Sequence, residues 1–217
     1  MITITVLVIL GITLFAVVRA IFRAPSAGAA PVRAIPAAAP SQVSTIDLDV
    51  WDARKGDVVS ITGAADDFSD IDFPVDRRSA YESNHHRWVD LSGEFRGQRI
   101  YLEVYRHPVP DLIGILNGRK LTIAEIGVTE EQLANLDARQ DPSASIEFEG
   151  RKWHFESSRE IGYFENETGQ AEGLYRWLFR EQDGARLLCI EKWEGEPFDV
   201  RIARRLKPED ITMYRAA

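Results

Sequence analysis

The chain has 217 residues, a formal net charge of −8 and a single cysteine, Cys189. One cysteine rules out an intrachain disulfide and agrees with a reducing compartment without requiring one. Setting aside Arg19, Arg23 and Arg33, the only charged side chains before Asp47, leaves about −11 for the remainder, and a body that acidic repels phosphate backbones and argues against nucleic-acid binding.

From Ile2 to Val18 no residue is charged, and Arg19 and Arg23 follow. A bilayer core about 30 Å thick needs roughly 20 helical residues. Residues 2–22 are therefore predicted to span the lipid bilayer as one helix, with Arg19 snorkelling to the headgroups. Both basic residues lie on the C-terminal side, so the positive-inside rule places the N-terminus outside the inner membrane and the C-terminal domain in the cytoplasm. The rival reading is a cleaved secretory signal processed at Ala27-Gly28-Ala29. It lacks a basic n-region, and its apolar run exceeds the usual length of about 7–15 residues. Pro25, Pro31, Pro36 and Pro40 then punctuate an Ala-rich tract, residues 23–44, read as a semi-rigid linker.

Beyond the linker, period-two alternation marks strands at 57–61, 98–105, 145–148, 151–155, 174–180, 186–192 and 198–202. Glu149-Gly150 and Asp183-Gly184 read as hairpin turns, and 166–173 as a longer loop. Thr129 with Gln132 forms a capping-box pattern that opens a short helix near 129–138, striped by Leu133 and Leu136.

An internal repeat is visible at a spacing of about 85–89 residues. His86-Arg87-Trp88-Val89 and Gly97–Glu103 match Tyr175-Arg176-Trp177-Leu178 and Gly184–Glu191. Tyr105 then matches Trp193, Arg119-Lys120-Leu121 matches Arg204-Arg205-Leu206, and Ile61-Thr62-Gly63 matches Phe148-Glu149-Gly150. The expected fold is mainly β: two similar antiparallel meander halves, 45–140 and 141–217, packed as one sandwich or double half-barrel. One short connecting helix and the N-terminal transmembrane helix complete it. Each half alone exposes a sheet face, which the other half is expected to cover.

Gly150-Arg151-Lys152-Trp153, Leu174–Phe179 and Gly184–Gly195 together form a glycine-led aromatic strand, an aromatic-Trp strand, and a strand closing on an acidic turn. Over about 145–214 this resembles the bacterial domain-of-unknown-function family 4178, the first half standing as a more divergent copy. The resemblance implies a β-rich fold and a setting in the bacterial envelope, and it carries over no catalytic residue.

The residues that could bear chemistry are few. Of the four histidines, His85, His86, His107 and His154, the adjacent pair point to opposite faces of an extended strand and cannot both ligate one metal. No H-E-x-x-H, H-x-H or C-x-x-C spacing occurs. Ordinary exposed histidines are expected, the alternative being a metal site built from one of the pair with His154 and a carboxylate. The acidic run Asp66–Asp72 lacks the glycine and bidentate glutamate of a calcium loop and reads as a solvated loop. Asp47, Asp49 and Asp52 around Trp51 read as the acidic outer face of an entry strand. Cys189 sits in an apolar run and reads as a buried, inert thiol. Arg87 and Arg176 are expected to stack on aromatics of neighbouring strands. No catalytic residue, metal ligand or cofactor is assigned. The leading expectation is a membrane-anchored module that binds a protein partner. The alternatives are a membrane-bound hydrolase using His154 or His85, and an exported ligand-binding domain.

Overall fold

The computed structural model describes residues 49–106 and 111–216. The expected anchor 2–22 and linker 23–44, with Asp47 and His107, lie outside them. Among the described residues no helix is long and apolar enough to cross a membrane.

The strands are β1 (Val58–Ile61), β2 (Ile71–Pro74), β3 (Arg77–Ser83), β4 (His86–Phe95), β5 (Gln98–Tyr105) and β6 (Asp111–Ile115). After helix α1 (Glu130–Arg139) come β7 (Ser145–Phe148), β8 (Arg151–Phe164), β9 (Glu172–Glu181), β10 (Arg186–Trp193), β11 (Phe198–Leu206) and β12 (Ile211–Tyr214). Nine strands pair in the order β3-β4-β5-β6-β11-β10-β9-β8-β7, and β3 also pairs with β8. That last pairing closes eight antiparallel strands into a barrel and leaves β7 as a flap on β8. A separate sheet, β12-β1-β2, holds the remaining three.

Tight turns enforce the meanders. Asn84 and His85 both take positive φ between β3 and β4, and so do Glu149 and Gly150 between β7 and β8, the geometry of two-residue turns that match strand twist. Asp183-Gly184 lies within a longer connection, since β9 ends at Glu181 and β10 begins at Arg186.

Closure corrects one of the two packings expected from sequence: the meanders β3–β6 and β8–β11 do not stack as a sandwich. They join edge to edge, at β3–β8 and at β6–β11. The physical reason lies in their faces. On β4 and β5, Val89, Leu91, Ile100, Leu102 and Val104 point outward and pack with Ile61, Ile71, Phe73 and Met213 of the small sheet. On the other side Trp153, Phe155, Trp177, Phe179, Leu188 and Ile190 point outward beneath Ile126, Val128 and Leu133 of the α1 region. Each apolar face thus has its own cover, and the inward faces mix charged groups with aromatic and aliphatic side chains.

Helix α1 forms where the capping box predicts it. Thr129 Oγ1 accepts from Gln132 N at 3.2 Å, and the Gln132 side chain accepts from Thr129 N at 2.8 Å. Its underside is fixed by Trp177, whose Nε1 donates to Leu133 O at 3.0 Å.

Candidate functional site in the barrel lumen

Strand register determines what lines the lumen. Asp90 opposes Glu103 across β4 and β5, and Glu191 opposes Arg176 across β10 and β9. Tyr81 opposes both Trp88 and Tyr163, so these rings share the inner face. The alternation that sends Leu102 and Val104 outward sends Tyr101, Glu103 and Tyr105 inward.

At the centre, Arg176 Nη1 donates to Glu103 Oε2 at 3.0 Å, and Nη2 makes a second ion-pair contact with Oε1 at 2.8 Å. It also donates from Nε and Nη2 to Glu191 Oε1, at 2.9 and 2.5 Å. Arg176 and Glu103 are only 7% and 5% exposed. Burial acts to lower the Arg176 pKa, but Glu103 and Glu191 outweigh it and hold the group well above its ordinary value. The guanidinium lies over the Tyr81 ring, 5.0 Å from its centroid. A second cation, Arg201, stacks on Tyr101 at 5.0 Å and donates to Asp199 Oδ2 at 2.7 Å.

Above this cluster a cavity of about 230 Å³ is lined by Asp90, Glu103, Glu191, Asp199, Arg77 and Arg201 among others, with Glu172 and Trp193 at its mouth. A smaller cavity of about 30 Å³ lies below, against Trp88, Tyr105, Arg159 and Cys189, and shares Glu103 and Ile115 with the upper one. Among the described residues, five buried side-chain polar atoms find no hydrogen-bond partner. Three of them, Arg77 Nε, Asp90 Oδ1 and Asp199 Oδ1, belong to residues that line the upper cavity, and Trp88 lines the lower. Buried polar atoms are rarely left unpaired, because each forfeits its water at a cost of about 1–3 kcal/mol. Asp90 is 2% exposed; burial, and then the charge on Glu103, raise its pKa to about 8.

The residues singled out from sequence mostly lie elsewhere. His85 occupies the exposed β3–β4 turn and His86 is exposed beside it. His154 opposes Ser145 and Arg180 on the flap side of the barrel. Among the described residues no three His, Cys, Asp or Glu side chains gather as metal ligands. In the 66–72 loop, Asp67 bonds Ser69 and Arg96, which hold its carboxyl well below the usual range, and Asp70 accepts from Gly63 N. Asp49 caps a 3-10 turn at Trp51. Cys189 is buried, faces the lumen, and has its thiol pKa pushed up by burial. Arg87 stacks on Phe164 of β8 at 5.5 Å.

Two proposed matches fail on geometry. Trp88 is in the lumen, stacked between Tyr81 and Tyr105, whereas Trp177 is outside, under α1. The two tryptophans are therefore not equivalent. Arg119-Lys120-Leu121 likewise lies beyond β6, with Leu121 bridging Val200, whereas Arg204–Leu206 is still within β11. Arg176, expected from sequence to stack on an aromatic ring, does so on Tyr81; missed from sequence were Arg77, Asp90, Glu103, Glu191, Asp199 and Arg201. The available signal was aromatic residues at the same alternation positions as the charges: Tyr101, Tyr105 and Trp193.

Comparison with curated proteins and with solved structures gives no match. A family model, Domain of unknown function (DUF4178), matches residues 55–208, which spans the barrel from before β1 to beyond β11. The chain with this charged, ring-lined lumen belongs to the DUF4178 family.

Proposed function

We propose that the barrel is a ligand-binding module that receives a small polar molecule in its lumen. One observation carries this: Arg77 of β3, Asp90 of β4 and Asp199 of β11, each with a buried polar atom left unpaired, line one cavity of about 230 Å³. Convergent polar groups in a ring-lined pocket are the usual mark of a small-molecule site. The hydrolase alternative loses support, because His85 is in an exposed turn and neither His85 nor His154 lines the upper cavity.

The anchor extends the proposal. Residues 2–22 would hold the module on the inner membrane with the barrel in the cytoplasm, where the occupied state is passed to a protein partner. The two meanders would descend from one duplicated unit. Glu103 and Glu191 face inward on corresponding strands, as do Tyr105 and Trp193, and both seams pair antiparallel.

Native mass spectrometry of the full chain, extracted in detergent from its source cells, tests the lumen reading. A bound small molecule is expected, and it is expected to be absent from Ile115→Trp, which fills the junction of the two cavities without removing an ion pair. A wild-type chain free of bound molecule, or an unaffected variant, refutes the reading. Fractionation tests the anchor: the chain is expected to leave membranes with detergent and to resist high salt.

A further inference from the structure

The chemistry of the upper cavity narrows the ligand class, given that the lumen is a ligand site at all. Five carboxylates line it, those of Asp90, Glu103, Glu172, Glu191 and Asp199, against the guanidiniums of Arg77 and Arg201. The arginines are already engaged. Arg201 pairs with Asp199, Arg77 with Glu165 at 3.5 Å, and Arg176 just below serves both Glu103 and Glu191. Asp90 is left with an oxygen that has no partner among the described residues.

An anion entering this cavity meets an excess of carboxylates. A bare metal ion needs several oxygen ligands at about 2.0–2.6 Å, and among the described residues no such group of three gathers. An organic cation meets both conditions, because the walls interleave acids with rings. The lumen already seats two cations on tyrosine faces, Arg176 on Tyr81 and Arg201 on Tyr101. At the mouth, Trp193 packs edge to face on Tyr163 with centroids 5.3 Å apart, and indole is the strongest cation–π partner among side chains. We propose that the upper cavity binds a small organic cation, an alkyl- or quaternary ammonium, with Asp90 as its counter-ion and the Tyr163–Trp193 pair packing on its apolar part. Arg77, which lines the same cavity, supplies a donor for a hydroxyl or carbonyl on the same molecule. The volume suits roughly nine non-hydrogen atoms, by comparison with a cavity of about 150 Å³ that accepts benzene.

Isothermal titration calorimetry of the full chain in detergent at pH 8.5 tests this with four probes: butylammonium, tetramethylammonium, 1-butanol and butyrate. The two cations are expected to bind, and the alcohol and carboxylate to bind at least about tenfold more weakly. Asp90→Asn is expected to lower cation affinity about tenfold or more, and Trp193→Ala a few-fold. Trp193→Ala, at the rim, keeps the test decisive if Asp90→Asn does not fold. If 1-butanol or butyrate binds as tightly as the cations and Ile115→Trp abolishes that binding, the lumen is a ligand site but the cation class is wrong. Cation binding that neither Asp90→Asn nor Trp193→Ala weakens also overturns the proposal. If no probe binds, this proposal falls, and the lumen reading falls as well if the source-purified chain carries no molecule.

Discussion

Arg176 of β9 and Glu103 of β5 form a buried ion pair across the lumen, one hydrogen bond and a second close contact, on strands separated in the barrel by β10, β11 and β6. The pair ties the two meanders together through their interior, and Glu191 completes it from β10. Arg176→Met leaves two carboxylates facing each other in a buried site, and breaking a buried pair from one side costs about 3–5 kcal/mol. Glu103→Gln leaves Arg176 its bonds to Glu191 and is expected to cost less than half as much. Urea denaturation of both variants checks the order, and equal losses would show that Arg176 does not organise the cluster.

Asp90 makes stability fall as pH rises. Its folded pKa of about 8 lies above its ordinary value of 3.8, so the folded chain holds a proton that the unfolded chain releases. The resulting stabilisation is complete below pH 4 and is lost as pH climbs through about 8. Arg77, Glu103, Arg176 and Glu191 face the carboxyl from the surrounding strands, and none removes its burial cost. Between pH 6 and 9 the wild-type urea midpoint is expected to drop, and Asp90→Asn to flatten that drop. An unchanged slope in Asp90→Asn would assign it to another group.

Gly93 permits the small sheet to cross the barrel. A Cβ there would lie 2.1 Å from Pro74 O and 2.8 Å from the Phe73 ring, so β2 would have to lift from β4. Gly93→Ala is expected to destabilise by about 2 kcal/mol or more, the range for overpacking a filled site. Gly173→Ala, where nothing lies within 4 Å, is the control and is expected to change stability by less than about 0.5 kcal/mol. Thermal unfolding of the two variants side by side measures the difference.

Thr129→Ala removes the α1 cap and is expected to cost about 1 kcal/mol. Because α1 covers Trp177, the same variant should red-shift tryptophan emission; an unchanged spectrum would mean that the cover holds without its cap.

How far the fold was legible depends on where alternation survives. β5 was predicted with its observed bounds because Ile100, Leu102 and Val104 alternate cleanly with polar residues. β8 was cut short at Phe155 because a bulge between Phe155 and Ser157 reverses the faces: Phe155 points outward and Ser157 inward. β6 is apolar on both sides and β3 largely polar on both, so neither shows a period of two. The lumen was missed for a related reason. Alternation separates two faces of a strand but does not say which one meets water, and here the charged face turns inward while the apolar face lies beneath a second layer.

The barrel also has two lines of weakness. Neighbouring strands inside a meander share five to ten register pairs, seven between β3 and β4 and ten between β8 and β9, whereas β3–β8 and β6–β11 share three each. Each meander is thus a stiff shell, and the two shells meet along short seams latched internally by Arg176. When the molecule opens, it parts like a hinged locket, and amide protons along Ala80–Glu82 and Arg204–Leu206 exchange ahead of those inside either shell.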